Sequence, residues 1–263
     1  MRHLIRWIVA AALLTFLYAR GSLSPPPTVV LSSLLGAGVL TLGLAWSDAD
    51  WKQAFIAVFI FEFIVGTVNT VDEGVIFHVL QGKMALTVFA GTTLVSALLA
   101  LVLSLVPPMR RRSSPPRQFP PKLWARVPLV ACAYVLLYLT AGSLVWPYVK
   151  SFYQSRPLPG LEVLLPIEWV RGLIFVVGAW PWLPLLRSRG RAILFLGAAY
   201  SILGGIAPLL LPNPLMPGPI RLAHGFEVGI SDFIFGALVG WTLAAQSKVA
   251  PAALDQTNAK RVL

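Results

Sequence analysis

Residues 51–70 read WKQAFIAVFIFEFIVGTVNT, and the fold turns on where such a stretch is stable. Beyond Lys52 it carries one charge, Glu62, set between Phe59-Ile60-Phe61 and Phe63-Ile64-Val65. About 20 apolar residues in helical form cross the hydrocarbon of a bilayer. The stretch is therefore predicted to be a transmembrane helix with a carboxylate near its middle. A carboxylate at that depth must be protonated, paired or turned toward a polar cavity, which makes it a functional candidate.

Apolar runs of similar length recur on both sides. They lie at Leu4–Gly21, Thr28–Trp46, Trp51–Thr70, Met84–Val106, Trp124–Trp146, Pro166–Leu186, Ala192–Leu211 and Phe226–Ala245. The predicted fold class is an all-α integral membrane protein: a polytopic bundle of eight transmembrane helices, forming one transmembrane domain over residues 1–263. A basic cytoplasmic loop at 107–123 and a C-terminal tail at 246–263 complete it. Prolines mark the breaks. Pro25-Pro26-Pro27, Pro107-Pro108 and Pro115-Pro116, and the group Pro212, Pro214, Pro217 and Pro219 stop helices, because proline lacks an amide hydrogen and restricts the residue before it. Pro166 is expected in a first helical turn, where the missing donor costs nothing.

Composition agrees with a bilayer as the solvent. Of 263 residues, 57% are hydrophobic and 12% charged, against about a quarter charged in an ordinary soluble domain. The chain has too little charge to make a water-facing surface. The net charge of +11 comes from 21 Lys and Arg against 10 Asp and Glu. Because the basic residues gather between the apolar runs, they suit anionic lipid, and nucleic acid is excluded as a partner. Cys132 is the single cysteine, so neither an intrachain disulfide nor a thiolate cluster is available.

Orientation follows from the same basic residues. Arg2 and Arg6, the run Arg110-Arg111-Arg112 with Arg117 and Lys122, the trio Arg187, Arg189 and Arg191, and Lys248, Lys260 and Arg261 fall on one side if eight helices alternate. That side is predicted to be the cytoplasm, with both termini on it and the chain in the cell inner membrane. Arg2 and Arg6 before an apolar run also imitate a signal peptide. Tyr18-Ala19-Arg20 is a poor cleavage site, so a retained anchor is expected.

Small residues four apart occur at Ser32 and Gly36, at Gly197, Ser201 and Gly205, at Gly225 and Gly229, and at Gly236 and Gly240. In lipid, close backbone approach at small residues supplies helix contact, so these are expected packing faces.

The acidic residues supply the candidate site. Glu62, Asn69 and Glu73 fall within about 20° of one line on a regular helix. This gives a polar stripe from the membrane centre to its outer surface, while Asp72, His78 and Lys83 are placed in an interfacial loop. Glu168 and Arg171 are three apart on another helix. They form either an internal ion pair or an arginine that holds an anionic group, oriented by the glutamate. In the third cluster, His224, Glu227 and Ser231 share a face with Asp232 beside it. His-x-x-Glu offers two metal ligands or a base with its orienting carboxylate, though the pattern is short.

If these clusters converge, they enclose a polar pocket near the extracytoplasmic leaflet. The leading expectation is an enzyme acting on a lipid or other amphiphilic substrate, with His224, Glu227 and Glu73 catalytic and Arg171, Arg221, Glu168 and Asn69 binding substrate. The cofactor is left open; a divalent metal, if bound, would be held by His224, Glu227 and His78. The alternatives are a small-molecule or ion transporter using the intramembrane carboxylate Glu62, and a non-catalytic membrane scaffold. Membrane lipid is the expected partner in every case, and a second copy or another membrane protein in the last. The chain has no His-Glu-x-x-His, no phosphate-binding glycine loop, no Gly-x-Ser-x-Gly and no Cys-x-x-Cys.

Overall fold

The structure, a computed structural model, describes residues 1–106, 123–154, 158–213 and 216–244. The expected tail at 246–263, and the basic loop short of Leu123, lie outside them.

Local chemistry explains where the helices start. Helix α1 is Arg2–Tyr18, and α2, Pro27–Ala45, begins with its proline in the first turn. Helix α3, Trp51–Ile76, opens on a reciprocal cap: Gln53 N–H donates to Asp50 Oδ1 at 2.9 Å, and Asp50 N–H donates to Gln53 Oε1 at 3.0 Å. Helix α4 is Gly82–Leu105, and α5, Leu123–Tyr153, continues through Pro128 and Pro147. Helix α6 is Leu161–Ala179. Helix α7, Arg189–Leu210, begins where Ser188 Oγ accepts from Arg191 N–H at 3.2 Å, and α8 is Gly218–Leu243.

Two helices are widened partway along. Helix α3 passes through a π turn at Phe63–Val68 and α7 through another at Tyr200–Ile206. Such turns are rare and concentrate at functional positions.

The helices alternate in direction, which sorts the bundle into a basic and an acidic end. At the basic end Arg6 Nε donates to Val106 O and Arg126 Nη1 to Thr242 O, each at 3.1 Å. Arg187 Nε meets Asp48 Oδ1 there at 2.9 Å, and an isolated antiparallel bridge joins Ser47 to Leu186. The opposite end collects Asp72, Glu73 and Glu227 with Arg171 and His224.

Helices α7 and α8 meet with their backbones nearly touching. A Cβ on Gly236 would come 2.3 Å from Leu196 O, and one on Gly240 2.7 Å from the Ala192 carbonyl carbon. The small residues therefore form the seam between these helices, as packing in lipid demands. Ser32 Oγ donates to Ala207 O at 2.8 Å and ties α2 to α7. Away from the seam, apolar side chains face outward. Leu129, Leu136 and Leu144 of α5 are 70%, 66% and 70% exposed and form one stripe, a surface that suits hydrocarbon and not water. The chain is a polytopic helical membrane protein.

The expected count of eight transmembrane helices needs correction. Among the described residues six helices are long and apolar enough to cross a membrane: α2, α3, α4, α5, α7 and α8. Helix α1 has 17 residues, short of a full crossing, and α6 carries Glu162, Glu168 and Arg171 within 19 residues. The assignment of both termini to the cytoplasm was derived from eight alternating crossings and loses that derivation, although the start of α1 and the end of α8 both lie at the basic end. The boundaries shift as well. Helix α6 begins at Leu161, which leaves Pro166 inside it, and ends before Pro181 and Pro184; α3 continues past Thr70 to Ile76.

Candidate functional site

Arg171 organises the acidic end. It is 3% exposed, and its fork faces the end of α3: Nε and Nη2 donate to Asp72 Oδ2 at 3.0 and 2.8 Å, and Nη1 donates to Glu73 Oε1 at 3.2 Å. Nη1 also lies 3.0 Å from Oε2 of Glu168, one turn earlier on α6. That contact is an ion pair without hydrogen-bond alignment, and neither oxygen of the fully buried Glu168 receives a donor. Helix α6 is brought in at Gly172, where a Cβ would stand 3.0 Å from both Ala131 Cα and Tyr134 Cβ of α5.

The charges do not balance. One guanidinium serves three carboxylates, two of them about two-fifths exposed, at 36% and 44%. A surplus of negative charge in a poorly hydrated site is costly unless protons or cations offset it.

A second set adjoins the first. His224 Nδ1 lies 2.6 Å from Glu227 Oε2, and its Nε2 lies 2.9 Å from the Tyr153 hydroxyl at the end of α5. With Nδ1–H donating to the carboxylate, Nε2 is the atom left to accept from the tyrosine hydroxyl. Glu73 lies within electrostatic range of both His224 and Glu227, so the two sets share one field.

The two π turns meet deeper in the bundle. Gly204, in the turn of α7, has Val65 of the α3 turn on one side and Asp232 of α8 on the other. A Cβ there would come 3.2 Å from Val65 Cγ1 and 2.8 Å from Asp232 Oδ2. A larger residue at 204 would push the Asp232 side chain aside at this three-helix junction. Asp232 is buried, and Arg171, Glu73 and Glu168 act on it electrostatically.

Glu62 stands apart from that cluster. It is buried just before the α3 π turn, with Oε2 lacking any hydrogen-bond partner and Tyr18 of α1 within electrostatic range. The expected line through Glu62, Asn69 and Glu73 assumed a regular helix. The π turn between the first two changes the register, so Glu73 reaches Arg171 while Glu62 faces the α1 side. Asn69 is buried with Oδ1 unpartnered.

The remaining candidates lie elsewhere. Arg221 Nη1 donates to Leu209 O and Leu211 O at 3.3 and 2.6 Å, closing the end of α7 and not joining Arg171. His78 is exposed in the turn after α3, with φ at 55°. Among the described residues, no group of three or more His, Cys, Asp or Glu is placed to hold a metal ion. An apolar groove of about 330 Å³ runs between α7 and α8 past Ser201, Gly225, Gly229 and Phe233, and none of the expected site residues lines it.

Sequence reasoning missed three participants. Asp72 was assigned to an interfacial loop, yet it is helical and makes two hydrogen bonds to Arg171; its adjacency to Glu73 was the available signal. Tyr153, and Tyr134 beside Gly172, had no local signature. No protein-family model, curated protein or solved structure matches the chain.

Proposed function

We propose that the protein is a transporter of a small molecule or ion in the cell membrane, with Glu62 as the intramembrane carboxylate that exchanges protons during transport. The observation that carries this reading is the pair of widened helices. Helices α3 and α7 each pass through a π turn, the turns meet at Val65 and Gly204, and each has a buried carboxylate at hand: Glu62 for the first and Asp232 for the second. Transporters place their sites where membrane helices are interrupted, because freed backbone groups and a movable break are available there. A regular helix offers neither.

Glu62 suits the role because no cation among the described residues compensates its charge. A buried carboxylate without a partner is stable when protonated and demands hydration or a cation when ionised. Protonation there is coupled to access by water, as carrier chemistry requires. The enzymatic reading has less support, since His224 and Glu227 are engaged with each other and Tyr153, and no third metal-binding side chain joins them among the described residues.

The scaffold reading rests on the density of ion pairs around Arg171, which would also lock α3 to α6. One experiment separates it from transport. Purified full-length protein in liposomes, loaded with a pH-sensitive dye and given an outward potassium gradient with valinomycin, is expected to conduct protons. Glu62→Gln is expected to reduce that rate at least tenfold while melting like the parent. Proton flux equal to empty liposomes, or undiminished in Glu62→Gln, would overturn the transport assignment and favour the scaffold.

A further inference from the structure

The acidic end has the makings of a site whose ligand is not yet accounted for. Asp72, Glu73 and Glu168 surround one guanidinium, Glu227 holds His224, and Asp232 lies in the same field. Arg171 and His224 together cannot offset that many carboxylates. Glu168 makes the deficit specific: it is fully buried, lies 3.0 Å from Nη1 of Arg171, and has neither oxygen hydrogen-bonded. A buried acceptor left open on both oxygens is expensive unless a ligand or proton satisfies it.

The kind of cation is constrained by geometry. A bare metal ion needs several oxygens converging at about 2.0 to 2.6 Å, whereas these carboxylates each engage Arg171, and no set of three among the described residues is placed to hold a metal. The mouth of the site is aromatic. The Tyr153 ring lies 6.2 Å from that of Phe77, 6.4 Å from Trp146, 5.0 Å from Phe152 and 5.8 Å from His224. Phe77 is one helical turn beyond Glu73, so this rim borders the more exposed carboxylates. Deeper in, Tyr138 of α5 is within electrostatic range of Glu168, Glu73 and Arg171. Aromatic faces followed by carboxylates recognise a diffuse positive charge with an apolar skin, the property of an alkylammonium ion.

We infer that the carboxylates Glu73 and Glu168, with Tyr138 and Tyr153 beside them, bind a small organic monocation, a primary to quaternary ammonium, and that this cation is the cargo of the transporter proposed above. The identification of cargo rests on that transport reading; the binding site stands on the geometry alone. The cation passes the aromatic rim, meets Glu73 and Asp72, and settles against Glu168, supplying the positive charge that Arg171 does not.

Binding of radiolabelled tetraethylammonium to purified full-length protein in nanodiscs tests the site without requiring transport. The expected result is saturable binding, weakened about tenfold in Glu168→Gln, or about 1.4 kcal/mol, and by a similar factor in Glu73→Gln. Asp48→Asn, at the opposite end, is expected to bind like the parent. Glu168→Gln keeps shape and removes a buried charge, and Glu73→Gln alters a partly exposed side chain, so one of the two remains readable if the other misfolds. No saturable binding, unchanged affinity in both variants, or displacement by sodium at equal concentration would overturn the proposal. Saturable binding in a protein that conducts no protons would leave the site standing and remove transport. Glu62-dependent flux without tetraethylammonium binding would do the reverse.

Discussion

Glu62 and Glu168 are the same side chain in two kinds of burial, and they solve the same problem differently. Each is under a tenth exposed, and each has at least one oxygen without a hydrogen-bond partner. Glu62 lies against Gly66 with no cation beside it among the described residues, whereas Glu168 lies against Arg171 in a group that includes Asp72 and Glu73. An isolated carboxylate in a low-dielectric setting responds by changing its own protonation. A crowded one is coupled to every neighbour, so charge in the group is redistributed instead of belonging to one residue. Glu62 is thus suited to being a switch, and the Arg171 group to being a receptacle whose charge is shared among its members.

The sharpest way to break this contrast is to remove Arg171. Arg171→Met would leave Asp72, Glu73 and Glu168 facing one another without their cation, a loss that costs about 3 to 5 kcal/mol when one partner of a buried pair is deleted. The expected outcome is a large fall in the thermal midpoint in nanodiscs, partly recovered by adding Glu168→Gln, which removes the most buried of the orphaned charges. Glu62→Gln, lacking any partner to orphan, is expected to shift the midpoint far less. Equal losses in Arg171→Met and Glu62→Gln would mean that the two regions do not differ in the way the geometry implies.

What the sequence revealed about these regions follows from the range of the forces involved. Hydrophobic length and proline placement are local, so the helical membrane class was legible from stretches such as 51–70, and the pairing of Glu168 with Arg171 followed from helical spacing alone. His224 and Glu227 were legible for the same reason. The π turns were not. Nothing in Phe63–Val68 distinguishes it from a regular helix, and the turn is stabilised by what packs against it, including Gly204 of α7. The stripe from Glu62 to Glu73 therefore failed at that turn. The count of crossings failed at α6 because its apolar frame was read from Pro166 to Leu186, whereas the helix starts at Leu161 and takes in Glu162. Asp72 and Tyr153 depended on contacts across 99 and 71 positions of the chain, which no local pattern records.

The seam between α7 and α8 carries the next largest effect and isolates the junction that separates the two acidic regions. Gly236→Ala places a methyl group 2.3 Å from Leu196 O, on rigid backbone, whereas Gly225→Ala meets nothing within 4 Å. Overpacking of this sort costs about 1 to 3 kcal/mol, and a substitution into open space stays within about 0.5 kcal/mol. Melting of the two variants side by side is expected to show the loss in Gly236→Ala alone. Matching midpoints would mean that the seam opens without cost and that Asp232 is not held by it.

Tyr153→Phe gives the smallest effect and the finest test of the receptacle. The substitution removes the hydroxyl that lies 2.9 Å from His224 Nε2 while keeping the ring against Phe77 and Trp146. Hydrogen bonds between membrane helices contribute about 0.6 kcal/mol on average, so stability should change little. His224 keeps its carboxylate partner at Nδ1. Because an aromatic face attracts a cation through the ring and not the hydroxyl, tetraethylammonium binding in this variant is expected to stay within about twofold of the parent. A loss as large as that in Glu73→Gln would instead assign the Tyr153 hydroxyl a direct part in holding the cation.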